Sequence, residues 1–335
     1  MVPRTLPAWE RPVLASVAEV VGETEHVRTS LAAIETVADW MAFETFEPPS
    51  GGPAGPFDWG DDTNDLIDAT MLKASLDFAF TDFDTSIKYE VDYQGRRWSD
   101  SEAMFASIHQ ALAAGAPLLD GGYQESVQRA DLERIFQGNI EMPMLDERVA
   151  ILNEVGARLA ADHDGRFHRF IRSCPQVMYA EGDGVLERLI DEFPRFDDVS
   201  EYRGRQVVIY KLAQLALWSL HLAVGPERGF SLRDLDNMTA FADYIVPVGL
   251  RVMGILEYSE ELEARIMAGD LIPRDSDEEI EIRAHSLYAT ALLTEAINQR
   301  RGEGRTLVIP QIDFRLWSAY HATTRPHHLT RTVMY

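Results

Sequence analysis

Apolar residues recur at three- and four-residue spacing over most of this 335-residue chain, the pattern of helices that bury one face. The spacing predicts helices over Val13 to Val21, Leu31 to Phe43, Asp65 to Phe80, Ser101 to Ala114 and Leu145 to Ala161. It predicts others over Val185 to Glu192, Gln206 to Ala223, Met238 to Glu257, Glu260 to Ala268, Glu278 to Gln299 and Phe314 to Tyr320. Ser99 to Glu102 supplies caps and first-turn acids, and Asp236 can cap a helix opening at Asn237. One stretch follows a different period. Ile87 to Val91 alternates, Tyr93-Gln94-Gly95 offers a turn and Arg96-Arg97-Trp98 can return, so a small β-hairpin is expected near 87–98. Pro48 to Pro56 reads as a loop or lid, and Arg300 to Arg305 as a second loop. Neither loop separates two evident cores and no internal repeat is present, so the pattern predicts an all-α single domain over residues 1–335.

Two of the predicted helices carry isolated charges. Between Gln206 and Val224 the only formally charged residue is Lys211; between Asn237 and Leu256 the only acid is Asp243 and the only base Arg251. Helices apolar on all sides are buried, and a buried charge without a partner costs several kcal/mol. Two readings follow. Lys211 and Asp243 form a buried structural ion pair, or both line a cavity, with Asp243 facing developing positive charge and Lys211 an anion. The ring of Pro247 removes one helical hydrogen bond and meets the carbonyl of Asp243, so a disturbed helix is expected there.

Composition narrows the chemistry. Lys and Arg number 31 against 55 Asp and Glu, a formal charge of −24. That balance argues against a duplex-binding surface, and no stable nucleic-acid complex is expected. Cys174 is the only cysteine, which excludes an internal disulfide and a cysteine zinc cluster. Met1 to Pro12 has no apolar core, so no ordinary signal peptide is expected. The two most apolar runs are interrupted by charge and do not read as membrane spans; a cytoplasmic monomer is the expectation. No phosphate-binding GxxxxGK, GxGxxG or GxSxG motif occurs. His163-Asp164 alone is too little for a metal centre, and neither metal nor cofactor is expected. His26 and His109 read as solvated, and Glu279, Glu281 and Arg283 as surface groups around a helix start. The tail from Arg325 to Arg331 is locally basic and ends at Tyr335, which suggests docking against the body.

Many short stretches in one order then resemble the queuosine salvage family, the queuosine 5′-phosphate N-glycosylases. They are MPMLDERVAILNEVG from Met142, FPRFDD from Phe193, YRGRQVVIYKLAQ from Tyr202, LDNMTAFADY from Leu235, GILEYSEEL from Gly254, EEIEIRAHSLYA from Glu278 and the closing RTVMY, with LDFAF from Leu76 as an earlier aromatic-rich match. The resemblance implies a helical fold similar to the helix-hairpin-helix DNA glycosylases. It also implies hydrolysis of queuosine 5′-monophosphate to queuine and ribose 5-phosphate, the salvage of queuine for tRNA modification. Matching the motifs carries the FADY aspartate onto Asp243, the expected catalytic carboxylate, and the lysine of the YK-x-AQ stretch onto Lys211. Where the family commonly reads DYRVPQ, this chain has Ile245 and Val248 in place of the Arg and Gln. For the phosphate, Lys211 comes first, then Arg331, His327 and His328. Phe78, Phe80, Tyr123 and Trp317 are aromatic candidates for stacking the base, Asp77 and Asp313 for meeting its amine, and Tyr335 joins them as the tail's own binding candidate. Queuine is a 7-deazapurine with no N7 to protonate, and no residue stands out as the donor to the leaving base. The alternative is a helical protein that binds a modified base without cleaving it.

Overall fold

The computed structural model describes residues 7–46, 57–302, 304–321 and 323–335; the Pro48 to Pro56 loop lies outside them. In chain order the first elements are α1 (Pro12–Val20), β1 (Val27–Thr29), α2 (Leu31–Met41), α3 (Thr63–Ser75), β2 (Glu90–Tyr93), β3 (Arg96–Ser99) and α4 (Asp100–Ala113). Then come α5 (Gly121–Ser126), α6 (Arg129–Ile135), α7 (Leu145–Asp162), α8 (Phe167–Ser173), α9 (Val185–Glu192), β4 (Val199–Tyr202) and β5 (Arg205–Val208). The last are α10 (Lys211–Ala223), α11 (Val246–Val252), β6 (Leu256–Tyr258), α12 (Glu260–Ala268), α13 (Asp277–Arg300) and α14 (Ile309–Tyr320). Several helices begin as local chemistry demands: Ser30, Asp62 and Ser276 each accept a backbone N–H of the first turn.

The protein is mostly helical with three two-stranded antiparallel pairs among the described residues. The expected hairpin is β2–β3, turning through Gln94 and Gly95, both at positive φ; such turns match the twist of the strands they join. A second hairpin, β4–β5, turns the same way through Arg203 and Gly204. It occupies the first residues of what the spacing predicts as one helix from Gln206. The third pair, β1–β6, joins Val27 to Tyr258 across most of the chain.

Other boundaries move as well. α3 stops at Ser75 rather than Phe80, and the short α5, α6 and α8 carry too few turns for periodicity to reveal. The largest change lies between Met238 and Glu257. No helix spans it: the chain is irregular or extended up to Ile245, and α11 begins at Val246 with Pro247 in its first turn. Pro247 thus opens a helix, where its missing N–H has no intrahelical partner to lose, instead of disturbing one.

Three apolar clusters make the core. One is built on α3, α4, α7, α9 and α10, one on α2, α11, α12, α13 and α14, and one on α1, β5 and α13. α13 serves two of them: Ile282, Ala289 and Leu293 face the second and Ile280, Ala284 and Leu287 the third. A helix apolar on several sides belongs inside, and this one buries its polar first turns too. Glu279, Glu281 and Arg283, expected on the surface, are at most 2 % exposed. No described helix is long and apolar enough to cross a membrane.

Candidate active site

The segment from Met238 to Val246 runs through the junction of the three clusters: Phe241 belongs to the first, Ala240 and Ala242 to the third and Val246 to the second. A buried segment without regular structure must satisfy its backbone with side chains. Gln214 of α10 accepts from the Thr239 N–H at 2.8 Å and donates to the Thr239 hydroxyl. Asp313 of α14 accepts from the Phe241 N–H at 2.8 Å. Arg283 of α13 donates to the Ala242 carbonyl at 3.3 Å. Asp243 Oδ1 accepts from the N–H groups of Ile245 (2.8 Å) and Val246 (2.9 Å). The segment is fixed from three helices, and Asp243 is fixed by its own following backbone.

Both lone charges therefore stand at helix starts. Asp243 precedes α11, and Lys211 is the first residue of α10, entered through Tyr210 at φ 51°. Lys211 is 6 % exposed and Asp313 4 %, while Asp243 is half-buried. The three interact electrostatically, yet among the described residues no ion-pair contact joins Lys211 to either acid. Asp243 Oδ2 likewise accepts no hydrogen bond from them. Burial raises the Asp243 pKa above the ordinary aspartate value, against the pull of Lys211, the two N–H groups and His321. Burial and then the Asp243 charge push Asp313 well above its ordinary value, against the Phe241 N–H and Lys211. Burial thus disfavours the charged form of both acids, and more strongly that of Asp313, which also feels the Asp243 charge.

Beside this trio lies a second polar group. Asp100, at the first position of α4 and at φ 55°, is buried; its Oδ2 accepts from Lys88 Nζ at 2.6 Å and lies 3.4 Å from His321 Nε2. Burial works to raise the Asp100 pKa, but His321 and Lys88 outweigh it and hold the carboxyl below its usual range. His321 follows α14, where Asp313, Trp317 and His321 recur every four residues and so share a face; the Trp317 and His321 rings are 4.4 Å apart. Tyr244 packs on His327 at 4.5 Å and feels the charges of Asp100, Asp243 and Asp77. Burial lowers the His327 pKa.

The sequence candidates thus divide. Asp243, Lys211, Asp313, Trp317, His327 and Asp77 come together. Asp77 is half-buried, with Lys73, Arg148 and Arg195 as its electrostatic partners. Phe78 and Phe80 are interior, Phe78 fully so beneath the Arg148 and Arg195 guanidiniums at 4.2 and 5.0 Å; a ring with no open face cannot stack a ligand. Tyr123 lies on α5, with Asp131 and Arg134 as its charged neighbours. Arg331 is exposed and donates to Glu147 at 2.8 Å. The tail does dock, but His328 and Tyr335 are spent on structure: His328 Nε2 is 3.2 Å from the Tyr335 hydroxyl, which donates to Glu279 Oε1 at 3.0 Å. Burial drives the His328 pKa down to about 3, so its ring is neutral. Sequence reasoning missed Asp100, His321, Lys88 and Tyr244; only Tyr244, adjacent to Asp243, offered a signal.

His163 meets Glu192 at 2.8 Å, and among the described residues no three His, Cys, Asp or Glu converge as ligands. A surface depression of about 470 Å³ lies elsewhere, between residues 57–60 and 222–228. Its charged residues Asp58, Glu227 and Arg228 are solvent-exposed, so it offers no desolvated group to do chemistry.

A sequence model described as "Queuosine salvage protein" matches residues 58–335, and the chain belongs to that family. It is similar to proteins named queuosine 5′-phosphate N-glycosylase/hydrolase. The one from Sphaerobacter thermophilus is 33% identical over 326 residues, covering 96% of this chain and 97% of the relative. That from Mus musculus is 26% identical over 91% of this chain and 89% of its own, and that from Schizosaccharomyces pombe 28% over 75% and 73%.

Proposed function

We propose that this protein is a nucleotide N-glycosidase that hydrolyses queuosine 5′-monophosphate to queuine and ribose 5-phosphate, with Asp243 as the catalytic carboxylate. The observation that carries the assignment is the arrangement at Asp243: one oxygen is anchored by two N–H groups, and the other accepts no hydrogen bond from the described residues. Cleavage of a glycosidic bond passes through an oxocarbenium-like state, so an anion held beside the anomeric carbon stabilises it more than the ground state. The anchored oxygen fixes direction. The open oxygen either faces the sugar carbon or orients the attacking water. A placed group of this kind contributes about 3–4 kcal/mol, roughly two to three decades in rate.

Lys211, nearly buried at the start of α10, supplies positive charge for the 5′-phosphate, helped by the N-terminal end of its helix. Trp317 is the half-buried ring open to a base. Asp77 suits the amine of queuine better than Asp313, whose burial disfavours the charged form. The action is that of a cytoplasmic monomer on a free nucleotide, needing neither metal nor cofactor, by one domain of the helix-hairpin-helix glycosylase kind; α13, shared between two apolar clusters, supports the single unit.

The test is direct. Wild-type protein incubated with queuosine 5′-monophosphate should release free queuine, and Asp243→Asn should release it at least about a hundredfold more slowly. Wild-type protein that retains the nucleotide intact would instead be the non-cleaving binder.

A further inference from the structure

The departing base must take up a proton; within the trio around Asp243 only Asp313 could give one, and its Oδ1 is already engaged by the Phe241 N–H. Two polar atoms nearby are buried and have no hydrogen-bond partner among the described residues: His321 Nδ1 and Asp100 Oδ1. Native proteins seldom leave such atoms unmatched, because each forfeits its hydration. Here they belong to two groups already 3.4 Å apart through His321 Nε2 and Asp100 Oδ2. The rest of the arrangement fixes them in place. Lys88 holds Asp100 Oδ2 at 2.6 Å, the Trp317 ring packs against the imidazole at 4.4 Å with the two planes tilted by 40°, and Asp100 adopts φ 55°, a conformation disfavoured for a residue with a Cβ. The charged or titratable groups around the pair are Lys88, Asp243, Tyr244 and His327.

We infer that His321 is the general acid for the leaving base and that Asp100 is both its positioning residue and a reader of the base. The inference rests on the glycosidase reading above. An imidazolium anchored through Nε2–H to Asp100 Oδ2 presents Nδ1–H as a donor, with Asp100 Oδ1 as an acceptor beside it. A guanine-like base offers the complement on the edge next to the sugar, where ring N3 accepts and the 2-amino group donates. As the bond from the base nitrogen to C1′ breaks, its electron pair passes into the ring and N3 takes the Nδ1 proton. Water forms the new bond to C1′ and gives its proton to Asp243, which returns it through solvent to His321. General acid catalysis of this kind contributes about 10²–10⁴ in rate.

A substrate whose leaving group needs no proton separates this role from all others. With 4-nitrophenyl β-D-ribofuranoside 5-phosphate, His321→Gln should turn over within about threefold of wild type, while its release of queuine from the nucleotide falls at least about a hundredfold. His321→Asn, a second variant of different length, should show the same split, and Asp100→Asn a smaller one. Equal losses on both substrates in folded variants, or no loss on either, overturn the assignment. So does the split appearing in Asp313→Asn and not at His321, which would make Asp313 the donor. Wild-type protein that cleaves neither substrate overturns the glycosidase reading itself, a result distinct from any of these.

Discussion

Two clusters of buried charge meet at consecutive residues, and they are built on opposite plans. In the first, Arg283 grips Asp198 with two hydrogen bonds of 2.6 and 3.1 Å, its Nε donates to the Ala242 carbonyl, and the Tyr335 ring lies 4.7 Å beneath it. Asp198 also accepts from the Lys211 N–H at 3.2 Å, and Glu281, two residues before Arg283 on α13, takes three backbone N–H groups and the Tyr202 hydroxyl. In the second, beginning at Asp243, two acids and a lysine interact through space without closing into contact, and Asp243 Oδ2 accepts no hydrogen bond from the described residues. Desolvated charge is tolerable when it is paired or fully hydrogen-bonded; in the first cluster Arg283 and Asp198 are paired and Glu281 is held by four donors. The second does not meet that condition, which is how a site keeps binding capacity in reserve. The closed cluster also holds the open one, since Ala242 precedes Asp243 and the Lys211 N–H belongs to the helix that presents its ammonium.

Removing one partner from the closed cluster should have the largest effect on the fold. Arg283→Met leaves Asp198 buried and unpaired and frees the Ala242 carbonyl, at a cost of about 3–5 kcal/mol in denaturant unfolding. A loss below about 1 kcal/mol would show that Asp198 finds water or another donor, and the contrast between the clusters would fail.

The open cluster should behave in reverse. At Asp243 the folded-state pKa is raised, so the native state binds its proton more tightly than the unfolded chain does. This group therefore lowers stability as pH rises through its two pKa values, and at neutral pH its charge is a burden on the fold. Asp243→Asn keeps an oxygen that can accept from the first turn of α11 and discards the charge. Its unfolding free energy should be equal to or above wild type while activity is lost. A clear drop in stability would place Asp243 among the structural charges.

The amino-acid pattern exposed one side of this contrast better than the other. Lys211 and Asp243 stood out because their neighbours are apolar, and burial is what periodicity measures. Their surroundings were misread for an equally physical reason. Val207, Val208 and Ile209 are β-branched and suit a strand, yet as apolar residues they also extend the helical spacing of the segment after them. Asp100 looked like a helix cap and His321 like nothing in particular, since their meaning arises only where α4 and the end of α14 come together. Glu279, Glu281 and Arg283 sit where a helix start normally faces water; their burial depends on α13 lying at the centre, a tertiary fact.

Lys211 tests the boundary between the clusters most finely, because its backbone belongs to one and its side chain to the other. Lys211→Met keeps the N–H bonded to Asp198 and most of the side-chain volume, so the fold should survive. The ammonium favours the ionised form of Asp243; without it, the Asp243 pKa moves further up. Since the working form is the anion, the acid limb of kcat/KM should shift to higher pH, measurable as a pH–rate profile on the nucleotide and on queuosine lacking the phosphate. If Lys211 also binds the phosphate, kcat/KM at the plateau should fall more for the nucleotide than for the nucleoside, by about tenfold for each 1.4 kcal/mol of lost contact. An unmoved limb with a large nucleotide-specific loss would mean that the lysine serves the phosphate alone and that Asp243 keeps its charge through the two N–H groups of α11.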